Sequence, residues 1–237
     1  MNDIPPKSYH QQIPHDPEDH SSIPRQEKDI SYFEKLIVSL HNLMRTKKQL
    51  PSFDAVRRAA EEVDGLFAAK DLPADIPSFL RHRLPEYGER RVLAVETVLC
   101  ELGYVSRDAL SQEPEVQNDH NSNQLPFETD YAPTIDKETY REPRYLPGDL
   151  VQVATHSQPG HIRTPVYLLG KKGTVIRLQG MFLNPEDLAH FKSQVLQLPL
   201  YLVEFEMLDV WGDRCPARSL KDKMRIEIYE PWLFPIK

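Results

Sequence analysis

Residues 148–180 read GDLVQVATHSQPGHIRTPVYLLGKKGTVIRLQG. Leu150, Val151 and Val153 form a short alternating run closed by a Pro-Gly break. A second break, Gly170-Lys-Lys-Gly173, leads into Thr174-Val-Ile-Arg-Leu178. β-Branched runs bounded by Gly and Pro are strand-turn-strand signals. Between the strands lies a long connection, His161-Ile-Arg163-Thr-Pro165, with one cation in it.

Working outward, the spacing predicts further strands at Asp149–Ala154, Val166–Leu169, Thr174–Leu178, Leu200–Met207 and Met224–Tyr229. Residues 184–197 form an excursion with one helical turn. Five short strands in under 100 residues suggest a small closed SH3-like barrel. The terminal Pro231-Trp-Leu-Phe-Pro235 offers aromatics for a barrel plug or an interface anchor.

The other half of the chain is helical in pattern. Ile30, Phe33, Leu36, Ile37, Leu40, Leu43 and Met44 fall at 3–4 spacing, the signature of a helix over 29–47 with one buried stripe. Ser52 is the expected N-cap of a second helix whose inner face is Val56, Ala59, Ala60, Val63, Leu66 and Phe67. Arg57 and Arg58 flank that stripe. A third helix runs from Tyr87 to Leu102 with Gly103 in place to end it. A short helix over 78–83 and a capped turn over 106–110 complete this half.

The expected class is therefore α+β. An extended arm spans 1–26, a helical domain 27–111, an acidic wrapping linker 112–144, and the SH3-like barrel 145–237. The arm has five prolines and three histidines (His10, His15, His20) and no periodicity, so it orders only against a partner. Its five-residue histidine spacing is not a helical face and suits a solvated arm better than a metal site.

Composition narrows the function. The net charge is −7, carried by the first 140 residues, which repels nucleic acid and leaves the C-terminal part only slightly basic. No run approaches the roughly 18 apolar residues of a membrane span. The N-terminus has no apolar signal core, which points to the cytoplasm. Two distant cysteines, Cys100 and Cys215, read as free thiols. No nucleophile elbow, Walker loop, dinucleotide fingerprint or zinc-ligand spacing occurs, so the chain is ill-equipped to catalyse alone. The Gly-Lys-Lys-Gly turn also resembles that of small RNA-binding barrels, with Lys171, Lys172 and Arg177 on phosphates. The negative charge and the lack of a basic aromatic stripe oppose that reading.

A wider resemblance covers roughly residues 27–110 and 145–235. PGHIRTPVYLLGKKGTVIRLQGMF, then PLYLVEFEMLDVWG, then IEIYEPWLFP resembles the C-terminal half of the nitrile hydratase β subunit, segment by segment in the same order. SFDAVRRAAEEV and EYGERRVLAVETVLCELGYVSRDAL are similar to the family's helical stretches. Thiocyanate hydrolase, a relative, divides the same body over two polypeptides.

The resemblance implies a subunit active only in a heteromer. Co(III) or non-haem Fe(III) would be held by cysteines of an α-type partner, two of them oxidised, with no metal ligand in this chain. Two arginines of the β-type subunit would hydrogen-bond the oxidised cysteine oxygens; aligned on the motifs they are Arg57 and Arg163, with Arg58 one register step from the first. Tyr87 falls where the family has a cavity tyrosine. A forked, permanently charged donor suits such an oxyanion better than lysine. The reaction implied is hydration of a nitrile to an amide. A thiocyanate hydrolase-type subunit and a metal-insertion or assembly paralogue without turnover are the alternatives. Residue by residue, Arg163 could instead hold its own loop, Arg57 could be a solvated flank, Tyr87 could pack, and His161 fits a loop-fixing hydrogen bond rather than a base. The chain departs from the family in its arm, MNDIPPKSYH, and in having Gly88 where a second tyrosine is usual.

Overall fold

The computed structural model describes residues 29–50, 52–111, 131–136, 142–155 and 163–236. The arm, the histidines in it, most of the linker and His161 lie outside these residues. The chain divides into two compact units, residues 1–132 with 189–191, and residues 133–188 with 192–237.

The first unit is built on three helices: α1 (Tyr32–Thr46), α2 (Phe53–Ala69) and α3 (Tyr87–Glu101), with the short α4 (Arg107–Ser111) after them. Ser31 caps α1 in a capping box with Glu34, and Ser52 caps α2 by accepting from the Asp54 N–H. Gly103, at φ +77°, ends α3, as its left-handed backbone suits glycine. One core joins Leu50, Ala55, Val56, Ala59, Ala94, Val95, Val98 and Phe191. A second joins Val63, Phe67, Ile76, Leu80 and Leu93.

The α1 stripe corrects an expectation. Its period is helical, but Phe33, Leu36, Leu40 and Leu43 are each about half exposed (47–54%). Ile37, Met44 and the buried His41, on the flank of that stripe, are among the more covered residues of α1. Gly88 permits the close approach of α1 to α3, because a Cβ there would lie 2.9 Å from Glu34 Cγ and 3.0 Å from the Phe33 ring.

α2 is buried on more than one side, and so carries buried charge as well as apolar residues. Arg58 is 0% exposed. Its Nη1 donates to Glu62 Oε1 (2.7 Å), its Nη2 to Glu101 Oε2, and its Nε to the Ala189 carbonyl (2.9 Å). This guanidinium ties α2, α3 and the 189–191 segment together. Burial alone would lower its pKa; the carboxylates of Glu101 and Glu62 more than reverse that and raise it. Arg90 pairs with buried Asp64 at 2.8 Å across α2 and α3.

The second unit contains β1 (Thr134–Ile135), β2 (Leu150–Val153), β3 (Lys172–Leu183), α5 (Pro185–Ala189), β4 (Gln194–Val195), β5 (Gln197–Glu206), α6 (Met207–Trp211), β6 (Lys223–Tyr229) and β7 (Leu233–Pro235). Five strands form an antiparallel sheet in the order β6-β5-β3-β2-β7, while β1 and β4 make a two-residue parallel pair. Gly173 lets β3 cross the core, since a Cβ there would stand 2.7 Å from both Phe205 and Val203 side chains.

Two strand expectations change. Residues 166–168 form a 3-10 turn after Pro165, with Leu168 N–H donating to the Pro165 carbonyl, so these amides turn back locally instead of joining a ladder. Conversely, 233–235 is a strand, paired with β2. Its Pro235 costs no ladder bond because β7 is an edge strand. Closure of the sheet is not seen among the described residues: β6 pairs only with β5, and β7 only with β2.

The sheet packs Tyr145, Val151, Val153, Leu168, Val175, Tyr201, Val203, Phe205, Val210, Ile228 and Leu233 into one core. A polar chain closes it. Arg144 donates from Nε to Glu230 Oε1 (2.9 Å), the Tyr201 O–H donates to Glu230 Oε2 (2.8 Å), and the Tyr145 O–H donates to the Leu233 carbonyl (2.7 Å). Burial, helped by the neighbouring carboxylate, pushes the Tyr201 phenol up to about 12, so it stays a donor.

Candidate functional site

Arg57 follows one turn after Phe53 at the start of α2, and this i,i+4 spacing lays its guanidinium over the Phe53 ring, 4.6 Å from the centroid. Arg57 is exposed, whereas adjacent Arg58 is fully buried and spent on two carboxylates and a carbonyl. Of the two candidates, only Arg57 presents its head to something outside the chain.

Tyr87 opens α3 and is 54% exposed. Its hydroxyl oxygen accepts a hydrogen bond from Arg91 Nη1, one turn on, and Arg91 lies 5.8 Å over its ring. The same guanidinium donates from Nε (3.0 Å) and Nη2 (2.7 Å) to Nδ1 of His41. His41 stacks on Phe53, with centroids 5.5 Å apart and planes 11° from parallel. Arg57 and Tyr87 are thus the two ends of one contiguous chain: Tyr87, Arg91, His41, Phe53, Arg57. The sequence reading missed Arg91 and His41. The i,i+4 relation of Tyr87 to Arg91 was the available signal; the place of His41 needed the α1–α3 packing.

His41 is only 2% exposed. Burial, then the charges of Arg91 and Arg45, depress its pKa to about 4. It is therefore neutral near pH 7, and since arginine can only donate, Nδ1 is the acceptor and the hydrogen sits on Nε2. A histidine depressed from 6.5 to about 4 gives stability that is complete above pH 6.5 and lost as pH falls toward 4. Its full size is about 3 kcal/mol at most. Asp64 acts in the opposite sense. Burial raises its carboxyl to about 6, so its contribution favours the fold at low pH and fades as pH rises from 3.8 to 6. Urea titrations at pH 7 and pH 4.5 separate the two. The wild-type chain minus His41→Gln should show a stability difference that shrinks by about 2 kcal/mol at the lower pH. An unchanged difference would mean that the fold does not depress the pKa of His41.

Arg163 belongs to the sheet unit and is exposed; the residue after it, Thr164, is 1% exposed. The 3-10 turn that follows stacks Tyr167 on Trp211, with centroids 5.2 Å apart. The stretch leading out of Arg163 is thus anchored. Both cysteines are free, Cys215 buried and Cys100 half-buried. Among the described residues no group of three or more His, Cys, Asp or Glu side chains is placed to hold a metal ion. No helix among them is long and apolar enough to cross a membrane.

Residues 134–235 match the family model described as nitrile hydratase beta subunit, C-terminal. Through this segment the chain is similar to the C-terminal part of nitrile hydratase β subunits. The β subunit of nitrile hydratase from Pseudomonas chlororaphis is 31% identical over 163 residues, 68% of this chain and 64% of that one. The cobalt-containing nitrile hydratase subunit beta of Pseudonocardia thermophila is 29% identical over 97 residues, 41% of this chain and 40% of that one. This chain thus spans less than two thirds of the length of either relative. A solved thiocyanate hydrolase chain from Thiobacillus thioparus, in the recombinant apo-enzyme, overlaps at 25% identity with a TM-score of 0.37. It covers 40% of this chain and 78% of that one, too loose a likeness to argue from.

Proposed function

We propose that the chain is the β-type subunit of a nitrile hydratase-like metalloenzyme, working only with an α-type partner that holds Co(III) or non-haem Fe(III). The sheet is read as a partly open SH3-like barrel. Its support is the strand order, in which the last strand returns antiparallel to the first after the 3-10 turn at Glu230–Trp232.

The observation that carries the reading is the contrast at 57 and 58. The arginine aligned with the family's motif sits exposed on a phenyl ring, and its neighbour is consumed inside the fold. The bare apolar stripe of α1 supports a heteromer, since a row of four half-exposed large side chains is what a partner covers.

The ion would supply Lewis-acid polarisation of the substrate. The work of this chain is different. Arg57 and Arg163 donate forked hydrogen bonds to oxygens on the partner's oxidised cysteines, holding their negative charge in a water-poor cavity. The Tyr87 hydroxyl orients the attacking water or the substrate. Water adds across the C≡N bond and an amide leaves.

Co-expression with an α-type subunit of the family tests this. The expected result is a co-purifying heteromer containing cobalt or iron that hydrates a small nitrile and leaves thiocyanate untouched. Turnover of thiocyanate alone would make it a thiocyanate hydrolase-type subunit. A finished enzyme that no longer contains this chain would make it an assembly factor.

A further inference from the structure

The chain from Tyr87 to Arg57 has a middle whose chemistry is unusually constrained. Arg91 has no acceptor atom, so the Tyr87 oxygen is the acceptor in their hydrogen bond, and the phenolic hydrogen is left for something else. Arg91 itself is held from two of its nitrogens by a single imidazole nitrogen. That imidazole is wedged between Arg91 and Phe53, and its Nε2 is buried without a hydrogen-bond partner among the described residues. A buried donor left unpaired costs stability. An apolar side chain would fill the same place in the helix interface without that cost. What the imidazole adds is a lone pair aimed at Arg91.

We propose that Arg91 is a positioning residue. Pinned on His41, it fixes the Tyr87 phenol as a hydrogen-bond donor to the ligand and, through the His41–Phe53 stack, steadies the ring on which Arg57 lies. The proposal deepens the reading above and rests on it for the word ligand. The pin itself belongs to the chain alone. Arg91 serves Tyr87 with one arm and His41 with two nitrogens, so loss of either contact lets the guanidinium swing away. Lysine keeps the charge but cannot span both partners at once.

Two experiments test the two halves separately. In the first, the full chain is labelled with 15N-histidine, His41 is assigned by its loss in His41→Gln, and spectra are taken at pH 7. The expected spectrum shows an unprotonated Nδ1 and a protonated Nε2, and Arg91→Met converts it to a mixture of tautomers. A mixture already in the wild type, or no change in the variant, overturns the pin. In the second, kcat and KM for a small nitrile are measured on the co-expressed complex. Arg91→Met should lower kcat about 10- to 100-fold with KM within about two-fold, the loss expected when a reacting group is misplaced. Tyr87→Phe should lower it similarly, and the double variant should be no worse than either single one. Arg91→Lys, which keeps the charge and spares the fold, should resemble Arg91→Met. Multiplying losses in the double variant, or full activity in Arg91→Lys, overturns the positioning role. A wild-type complex with no turnover of any nitrile removes the function from which Tyr87 takes its ligand, while the spectrum still decides the pin.

Discussion

Replacing Arg58 with methionine is expected to cost the helical unit about 3–5 kcal/mol, the largest stability loss of any single substitution in this part of the chain. The side chain is 0% exposed and neutralises two carboxylates, Glu62 and Glu101, while its Nε holds the carbonyl of Ala189. Methionine has about the right length but removes the buried cation that the two carboxylates share. The charge, not the packing, is the source of the loss. The triple variant Arg58→Met, Glu62→Leu, Glu101→Leu should therefore recover most of it, since a well-packed apolar trio often replaces a buried ionic one at little cost. Urea unfolding followed by far-UV circular dichroism reads both. A loss below about 1 kcal/mol in the single variant would place Arg58 among ordinary surface pairs.

Arg57→Lys gives the opposite pattern and is expected to be the most damaging change to turnover. Stability should hardly move, because Arg57 is exposed and its contact with Phe53 is one that lysine also makes. Turnover of the co-expressed complex should fall about 100- to 1000-fold, the usual loss when one donor to a developing or fixed oxyanion is removed. Arg163→Lys should fall similarly while the heteromer still assembles. Equal turnover in either lysine variant would show that a point charge suffices there, which a forked hydrogen bond to a sulfur-bound oxygen excludes.

Much of this fold was readable from local chemistry. The Ser52 cap, the Gly103 stop and the starts of α2 and α3 each depend on a few neighbouring residues, and each is where its side chains put it. The β2, β3, β5 and β6 strands were legible from their alternation, although β3 runs on to Leu183 through two irregularities that alternation does not announce. What the sequence misplaced depends on distant partners. The α1 period shows a helix with an apolar side, but not whether that side meets its own chain. Residues 231–235 read as a plug or an interface anchor, yet 233–235 is a strand at a sheet edge that tolerates the missing N–H of Pro235. Val166–Leu168 had strand composition and made a turn, because Pro165 sets the backbone to receive a local hydrogen bond. At the site, Arg57 and Tyr87 came from a resemblance, and nothing in the spacing separated Arg57 from Arg58. Burial separates them: one guanidinium is fully satisfied inside the chain, and the other faces outward on its aromatic support.

The most direct measurement is a crystal structure of the co-purified heteromer, read for what the guanidinium groups of Arg57 and Arg163 touch. The expected result places both within about 3 Å of oxygens on oxidised cysteines of the partner, with the Tyr87 hydroxyl lining the same cavity. Both groups in open solvent, on surfaces the partner does not cover, would contradict it.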